Sequence, residues 1–504
     1  VTTPSAPTTP ATGAPGAPTT HAPAAGRRGP GSWNWPLLGL VALTAAFLAG
    51  TLVYPTYSNY DSMYSLVWGR ELLDGQLPSF ETYRAPTQHP LAVLFGAFMA
   101  LFGYSGDRLL VLCTLASFVV LVAGLYRLGR TAFTTLVGLI AAVILCTRFD
   151  FPFLAARGYL DVPYLALIVW AAVLEAQRPR RGRLVLVLLL LAGLLRPEAW
   201  LLSGLYWLWL FPRASWRERV LDALLVGAAP LIWVATDFVV TGDPLFSHTH
   251  TSGLAEELGR QRGIAEVPSA MFNFLKGLVK LPVAAAGLLG LALAAWLVPT
   301  RVRVPLALLA AGLGTFLLVG AGGLSVINRY LLAPSLMVML FAAFSVGGFT
   351  VLRPGRARTA WTALAVAAVL FAAVWTLLRV DLARLGGELR FREDSRAALK
   401  SLLEDPRVRA ARACGPITTP NHKLVPDVRW ILDLPEQDVI ARSDAAAGRV
   451  DRGVALFAAR RSVLLRQGFN PDDDSARDTL LNVPSPGFVR IAGNDFYAAF
   501  ARCS

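Results

Sequence analysis

The sequence is short of lysine, cysteine and acidic residues, and each shortage narrows what the chain can be. Of its 47 basic residues only Lys276, Lys280, Lys400 and Lys423 are lysines, so arginine carries almost all the positive charge. In a chain rich in Ala, Gly and Pro, that bias fits a GC-rich bacterial genome such as an actinobacterial one. Asp and Glu number 33, which leaves a formal net charge of +14. The charge is not gathered into a basic domain. The arginines fall in short clusters between apolar runs, which argues against a nucleic-acid partner and follows the excess of basic residues in cytoplasmic loops of membrane proteins. The first 30 residues have no apolar run, and their Pro, Thr and Ala repeats cannot bury a core. They also lack the hydrophobic region of a signal peptide.

Apolar surface is what the chain has in excess. At 504 residues, 55% of them hydrophobic, and with a mean hydropathy of +0.52, it carries more than a soluble fold of this size needs to bury. A bilayer core takes roughly 17 to 25 apolar residues per helix, and many runs approach that length. The first, Trp35 to Tyr54, follows Arg27 and Arg28 and is too long for a cleaved signal. It reads as a signal anchor that leaves residues 1–34 as a disordered cytoplasmic tail. The segment His89 to Gly103 is short enough to be an interfacial or re-entrant helix. If it does not cross, the spans read 36–54, 108–126, 131–147, 162–177, 184–195, 199–211, 220–240, 281–298, 305–320, 331–350 and 360–379.

The expected fold is therefore an all-α polytopic membrane protein of about 11 transmembrane helices with a small C-terminal extracytoplasmic α/β domain. Arg127 and Arg130, the Arg178–Arg183 cluster, Arg213 to Arg219, Arg301 and Arg303, and Arg353 to Arg358 then all lie in the cytoplasm. Spans 184–195 and 199–211 are short and read as a tilted or partly re-entrant hairpin meeting at Arg196-Pro197-Glu198. Residues 35–380 form the membrane module, with a long first outer loop over 55–107. Residues 381–504 form the extracytoplasmic domain, with helices expected over 392–404 and 445–450, a strand near Ala455 to Ala458 and a final hairpin turning at Gly493-Asn494-Asp495. Polar groups concentrate in the outer loops, whereas a transporter would scatter them within its spans.

In the first outer loop Asp61, Tyr64, Trp68 and Leu72 recur at helical spacing, as in a helix lying on the membrane surface. Asp61 after the first span, the Gly69-Arg70-Glu71 and Gly75-x-Leu77-Pro78 runs and Pro86-Thr87-Gln88-His89-Pro90-Leu91 resemble the GT-C superfamily of glycosyltransferases. Asp161 at an outer boundary, Leu195-Arg196-Pro197-Glu198-Ala199-Trp200, Thr241-Gly242-Asp243-Pro244-Leu245 and Asn328-Arg329-Tyr330-Leu331 are similar to runs found in such enzymes. The resemblance spans most of residues 36–350. It implies a polyprenyl-phosphate-linked sugar donor, as used by protein O-mannosyltransferases, lipid A aminoarabinose transferases and actinobacterial mannosyl- and arabinosyltransferases. The acceptor would be a glycan, lipid or protein hydroxyl. Many O-mannosyltransferases have adjacent acidic residues after the first span, and Ser62 following Asp61 makes a protein acceptor the less secure choice.

Glycosyl transfer from a lipid phosphate needs a base beside the incoming hydroxyl and positive charge beside the departing phosphate. Asp61 is the candidate base; as an acidic residue in a first helical turn it also suits the helix dipole. Asp161 is a second active-site carboxylate or, with Pro163 after it, a helix-start residue. Arginine suits phosphate because its planar fork makes paired, charge-assisted hydrogen bonds, and the candidates are Arg84, Arg157, Arg196 and Arg329. Arg84 and Arg157 equally suit loop contacts with lipid headgroups, and Glu198 either serves the site or braces the turn by pairing with Arg196. His89 and Tyr330 complete the substrate-binding candidates. His248 and His250 have the one-residue gap of some metal sites but no nearby Cys, so no tightly held metal is expected and only a weakly bound divalent ion is compatible. Cys414 and Cys503 are expected to pair on the oxidising side of a bacterial plasma membrane, while Cys113 and Cys146 lie in spans as apolar filler. The competing reading is a lipid or small-molecule transporter, which would use Asp222 and Asp237 near the ends of one span.

Overall fold

The computed structural model describes residues 35–53, 57–257, 259–379, 382–444, 446, 450–466 and 484–504. The expected tail over 1–34 and most of the helix expected over 445–450 lie outside the described residues. The membrane module runs α1 (Trp35–Val53), α2 (Tyr60–Leu73), α3 (Pro90–Ala100), α4 (Gly106–Ala132), α5 (Thr135–Thr147), α6 (Asp150–Ala156), α7 (Asp161–Gln177), α8 (Arg183–Leu195) and α9 (Glu198–Leu210). It continues with α10 (Trp216–Thr241), α11 (Phe246–Glu257), α12 (Val267–Val279), α13 (Leu281–Leu297), α14 (Arg303–Ala321), α15 (Leu332–Gly347) and α16 (Arg356–Arg379).

Each of the eleven apolar runs coincides with a helix, but the helices differ in length. Among the described residues six are long and apolar enough to cross a membrane, or up to eight if the bent pairs α5–α6 (65°) and α12–α13 (102°) each count as one span. Helices α8 and α9 have 13 residues each. At about 1.5 Å rise per residue such a helix reaches only about 20 Å, short of a bilayer core of about 30 Å. The segment between spans 220–240 and 281–298 holds two further helices, α11 and α12. Both are too short or too polar to stand out as apolar runs, yet α12 buries Val267, Ala270, Leu278 and Val279.

Helix α15 is apolar on every side and forms the centre of the bundle, with Leu336, Met337, Leu340, Phe341 and Phe344 at most 1% exposed. Helices α1 and α16 lie at the periphery, where Leu37, Val41, Leu364 and Leu370 present the apolar surface that lipid would cover.

Helix α2, expected from its spacing to lie on the membrane surface, is enclosed by protein. Met63, Tyr64, Leu66, Val67 and Trp68 are fully buried, because α3, α4 and the C-terminal domain enclose it. Gly69 and Gly96 allow the closest approach of α2 and α3. A Cβ on Gly69 would strike the backbone of Gly96 and Ala97, and one on Gly96 the carbonyl of Ser65.

The C-terminal domain begins with α17 (Leu382–Leu403) and α18 (Pro406–Ala411). It continues through β1 (Ile417–Thr419), α19 (Val425–Leu432), β2 (Val439–Ala441), β3 (Gly453–Ala458), α20 (Arg461–Arg466), β4 (Val489–Gly493) and β5 (Tyr497–Arg502). The strand order is β2-β1-β3-β5-β4, parallel across β2-β1-β3 and antiparallel across β3-β5-β4. Cys414, just before β1, and Cys503, just after β5, are joined in a disulfide with Cα atoms 4.8 Å apart.

Buried charge docks this domain on the segment between α1 and α4. Arg429 is fully buried and pairs with Glu71 while donating to Ser79 Oγ at 2.9 Å. Arg70 donates to the carbonyls of Arg429 (2.8 Å) and Trp430 (3.2 Å), and Arg396 pairs with Asp107 and Asp427. Removing one partner of a buried pair strands the other charge and typically costs about 3–5 kcal/mol, whereas replacing both with apolar groups is often neutral. Glu71→Leu alone is expected to lower the melting temperature of the purified protein well below that of Glu71→Leu/Arg429→Met. Equal melting of the two variants would show that the pair does not hold the domain.

Candidate active site

The site starts at the N-terminus of α2. Asn59 caps the helix, its side-chain oxygen accepting from the backbone N–H groups of Asp61 (2.9 Å) and Ser62 (3.4 Å). Because Asn59 takes the capping role, the Asp61 carboxylate projects elsewhere. The same asparagine pins the α6–α7 loop to α2: its backbone N–H and side-chain amide donate to the Arg157 carbonyl at 2.8 and 3.1 Å. Ser62 adds a 2.6 Å hydrogen bond to the Gly158 carbonyl. Asp161 is thereby brought to the side of Asp61.

Arg329, from the 3-10 turn Asn328–Leu331 that precedes α15, bridges the two carboxylates. Its Nη1 lies 2.6 Å from Asp61 Oδ2 and its Nη2 2.8 Å from Asp161 Oδ2. Arg196, at the α8–α9 junction, pairs with Asp161 from the other side and with Glu198 at 2.7 Å. Five residues from four separate segments thus form a chain of three carboxylates and two guanidiniums. Tyr330 and Tyr164 lie 5.5 and 5.9 Å from the Arg196 guanidinium, and Tyr159 lies 5.2 Å from that of Arg329.

The chain is graded in exposure. The Asp161 side chain is 1% exposed and that of Arg196 7%, whereas those of Asp61 and Arg329 are 25% and 24%. Asp61 is therefore the carboxylate that faces the open side. Its Oδ1 has no hydrogen-bond partner among the described residues, which leaves it available to an incoming hydroxyl.

His89 makes no capping hydrogen bond at the start of α3; its ring packs edge-on against Trp233 at 5.5 Å. Burial pushes its pKa down to about 3, with Arg196 and Arg329 adding to the effect, so the imidazole is neutral, and its buried Nδ1 is unpartnered. Arg157 is 7% exposed and stacks on Tyr57 at 4.6 Å, and its Nε and Nη1 have no partner. Arg84 stays at the rim, stacked on Tyr83 at 5.1 Å and paired with Glu257 at 2.9 Å. Its carbonyl accepts from Tyr60 Oη at 2.8 Å.

Two expectations change. Arg196 has all three guanidinium nitrogens bonded to Asp161 and Glu198, so it presents no free fork to a phosphate. The loop-contact alternative does not describe Arg157, which is enclosed by protein. The aspartates that a transporter would use are held locally: Asp237 accepts from Gln88 and Ser247, and Asp222 faces Arg183 at 3.6 Å. His250 packs against Phe246 and lies 2.8 Å from the Ala85 carbonyl. Among the described residues no three His, Cys, Asp or Glu side chains gather as metal ligands.

Sequence reasoning missed Asn59, Ser62 and Tyr159. The Asn59-x-x-Ser62 spacing carries an N-cap signal that could have marked the first two. Tyr159 has no such signal, since only the fold brings its ring to Arg329.

No family model and no curated protein matches the sequence. Solved structures do match. ArnT from Cupriavidus metallidurans bound to undecaprenyl phosphate superposes with a TM-score of 0.55 at 11% identity, covering 93% of this chain and 98% of that one. Its apo state gives 0.54 at 14% identity, with 92% and 98% covered. The Archaeoglobus fulgidus oligosaccharyltransferase tethered with an acceptor peptide gives 0.50 at 11% identity, with 93% and 74% covered. The likeness extends over nearly the whole chain, membrane module and C-terminal domain together: the chain is a multi-pass membrane protein that shares the fold of ArnT and of the archaeal oligosaccharyltransferase.

Proposed function

We propose that the chain is a membrane glycosyltransferase that moves a sugar from a polyprenyl-phosphate donor to a hydroxyl acceptor on the outer face of a bacterial plasma membrane. The observation that carries this reading is the Arg329 bridge, which holds the half-exposed Asp61 beside the buried Asp161. Undecaprenyl phosphate in the ArnT complex supports the donor class, and the acceptor peptide on the archaeal enzyme supports an acceptor bound by a related fold.

In this mechanism Asp61 Oδ1 accepts the proton of the acceptor hydroxyl as that oxygen bonds to the sugar's anomeric carbon. The bond from that carbon to the donor phosphate oxygen breaks, and polyprenyl phosphate leaves. Arg157, two of whose guanidinium nitrogens have no hydrogen-bond partner, receives the phosphate, and Arg84 supports it from the rim. Arg196 and Glu198 position Asp161, which in turn orients Arg329. His89 and Tyr330 line the substrate side. The acceptor is a glycan, lipid or protein, and the sugar a hexose or pentose. The topology that goes with this reading has eleven crossings, a cytoplasmic N-terminus and an extracytoplasmic C-terminal domain.

Asp61→Asn keeps the shape of the side chain but removes the base. Transfer by membranes containing the variant is expected to fall by about 10²–10⁴ at unchanged expression, the range a positioned general base contributes. Full activity would eliminate Asp61 from that role. Arg329→Lys retains the charge but cannot bridge two carboxylates with a planar fork. It is expected to lower kcat about 10²-fold, as a misplaced catalytic group does, and to change KM little. A rise in KM at unchanged kcat would instead make Arg329 a donor-binding residue.

A further inference from the structure

The Asp61 centre is close to neutral, but the space between it and the C-terminal domain is not. Lys423 and His422 belong to the turn that leads into α19, and they face the first outer loop. The His422 ring lies edge-on to Tyr60 at 5.5 Å and to Tyr83 at 6.2 Å, the two tyrosines that hold Arg84. Tyr60 is also the chain neighbour of Asp61, so the C-terminal domain reaches the edge of the candidate active site.

Three features of this seam point to a ligand. Neither Lys423 nor Arg260 has a carboxylate partner among the described residues, and Glu257, the acidic group beside Arg84, is already engaged by it. His422 is 92% buried by its 8% exposure, yet its Nδ1 has no hydrogen-bond partner. Arg392, on α17, adds a further cation whose Nε makes no hydrogen bond and faces Glu388 at 3.9 Å. Burial together with the like charges of Arg260, Arg392 and Arg84 lowers the Lys423 ammonium below its ordinary range. Burial, then Arg84, Lys423 and Arg260, pushes His422 down to about 3. Lys423 and Arg260 thus stand without a carboxylate partner beside two arginines that each have one, and an anion relieves their mutual repulsion.

We propose that His422 and Lys423 of the C-terminal domain, with Arg260 of the outer loops, form a second phosphoryl-binding subsite beside the Asp61 centre. The inference rests on the transferase reading and refines its substrate. A lipid-linked monophosphate donor has one phosphoryl group, which Arg157 receives. The extra cations suit a second, supplied either by a diphosphate-linked donor or by a phosphorylated acceptor. Lysine and histidine reach the ligand from the docked domain, so the domain completes the site as well as covering α2.

The test measures binding to the purified full-length chain in lipid nanodiscs, with undecaprenyl monophosphate, undecaprenyl diphosphate and glycerol 3-phosphate as probes. The wild-type protein is expected to bind the diphosphate about tenfold or more tightly than the monophosphate, the effect of one good charge-assisted contact. Lys423→Gln should remove most of that preference and leave monophosphate affinity unchanged. The exposed Arg260→Gln should reduce it too, and keeps the test open if the Lys423 variant folds poorly. If the two lipids bind equally but glycerol 3-phosphate still binds, in a Lys423-dependent manner, to protein saturated with undecaprenyl monophosphate, the second group belongs to the acceptor and the subsite stands. Equal binding of both lipids with no glycerol 3-phosphate uptake would overturn the subsite and leave the transferase reading intact. A chain that binds neither lipid would overturn both.

Discussion

The site depends on one guanidinium satisfying two carboxylates that come from distant parts of the chain. Asp161 is buried so completely that its charge would be untenable alone, and Arg196 and Arg329 approach it from opposite sides. The same Arg329 extends outward to Asp61, so the geometry of the exposed carboxylate is set by the demand of the buried one. The helices that supply these groups need not be long. α8 and α9 have to meet at Arg196, α7 has to begin at Asp161, and α15 has to follow Arg329.

The C-terminal domain is part of this arrangement. Its α19 closes over α2 through Arg429 and Glu71, and its α17 reaches Asp107 through Arg396. Since α2 carries both Asp61 and Glu71 on one rigid helix of 14 residues, docking of the domain and placement of the candidate base are mechanically linked. The close crossing at Gly69 and Gly96 fixes the opposite face of the same helix.

Much of this was legible in one dimension. Each of the eleven apolar runs read from hydropathy coincides with a helix, since a run of Leu, Val and Ala without polar interruption has few alternatives to helix in a membrane. The isolated Arg329 and the Arg196-Pro197-Glu198 turn were recognisable because a charge between apolar runs is costly and needs a partner. Three features were not legible. The enclosure of helix α2 was not legible because part of its cover, α19, lies more than 300 positions away. Helices α11 and α12 were missed because they are amphipathic or polar and short. Arg196 looked like a phosphate ligand because composition gives a charge its sign but not its neighbours.

By itself the sequence determined a chain dominated by apolar helices, the segregation of arginine into loops, and an inventory of acids and arginines at helix ends. These follow from local chemistry, namely the cost of unsatisfied backbone and of isolated charge in hydrocarbon. Only the tertiary structure decided that Asp61 shares Arg329 with Asp161 and that Arg196 reaches Asp161. Pairing of charges depends on distances of a few ångströms between residues as far apart as 268 positions, and no local pattern encodes that separation.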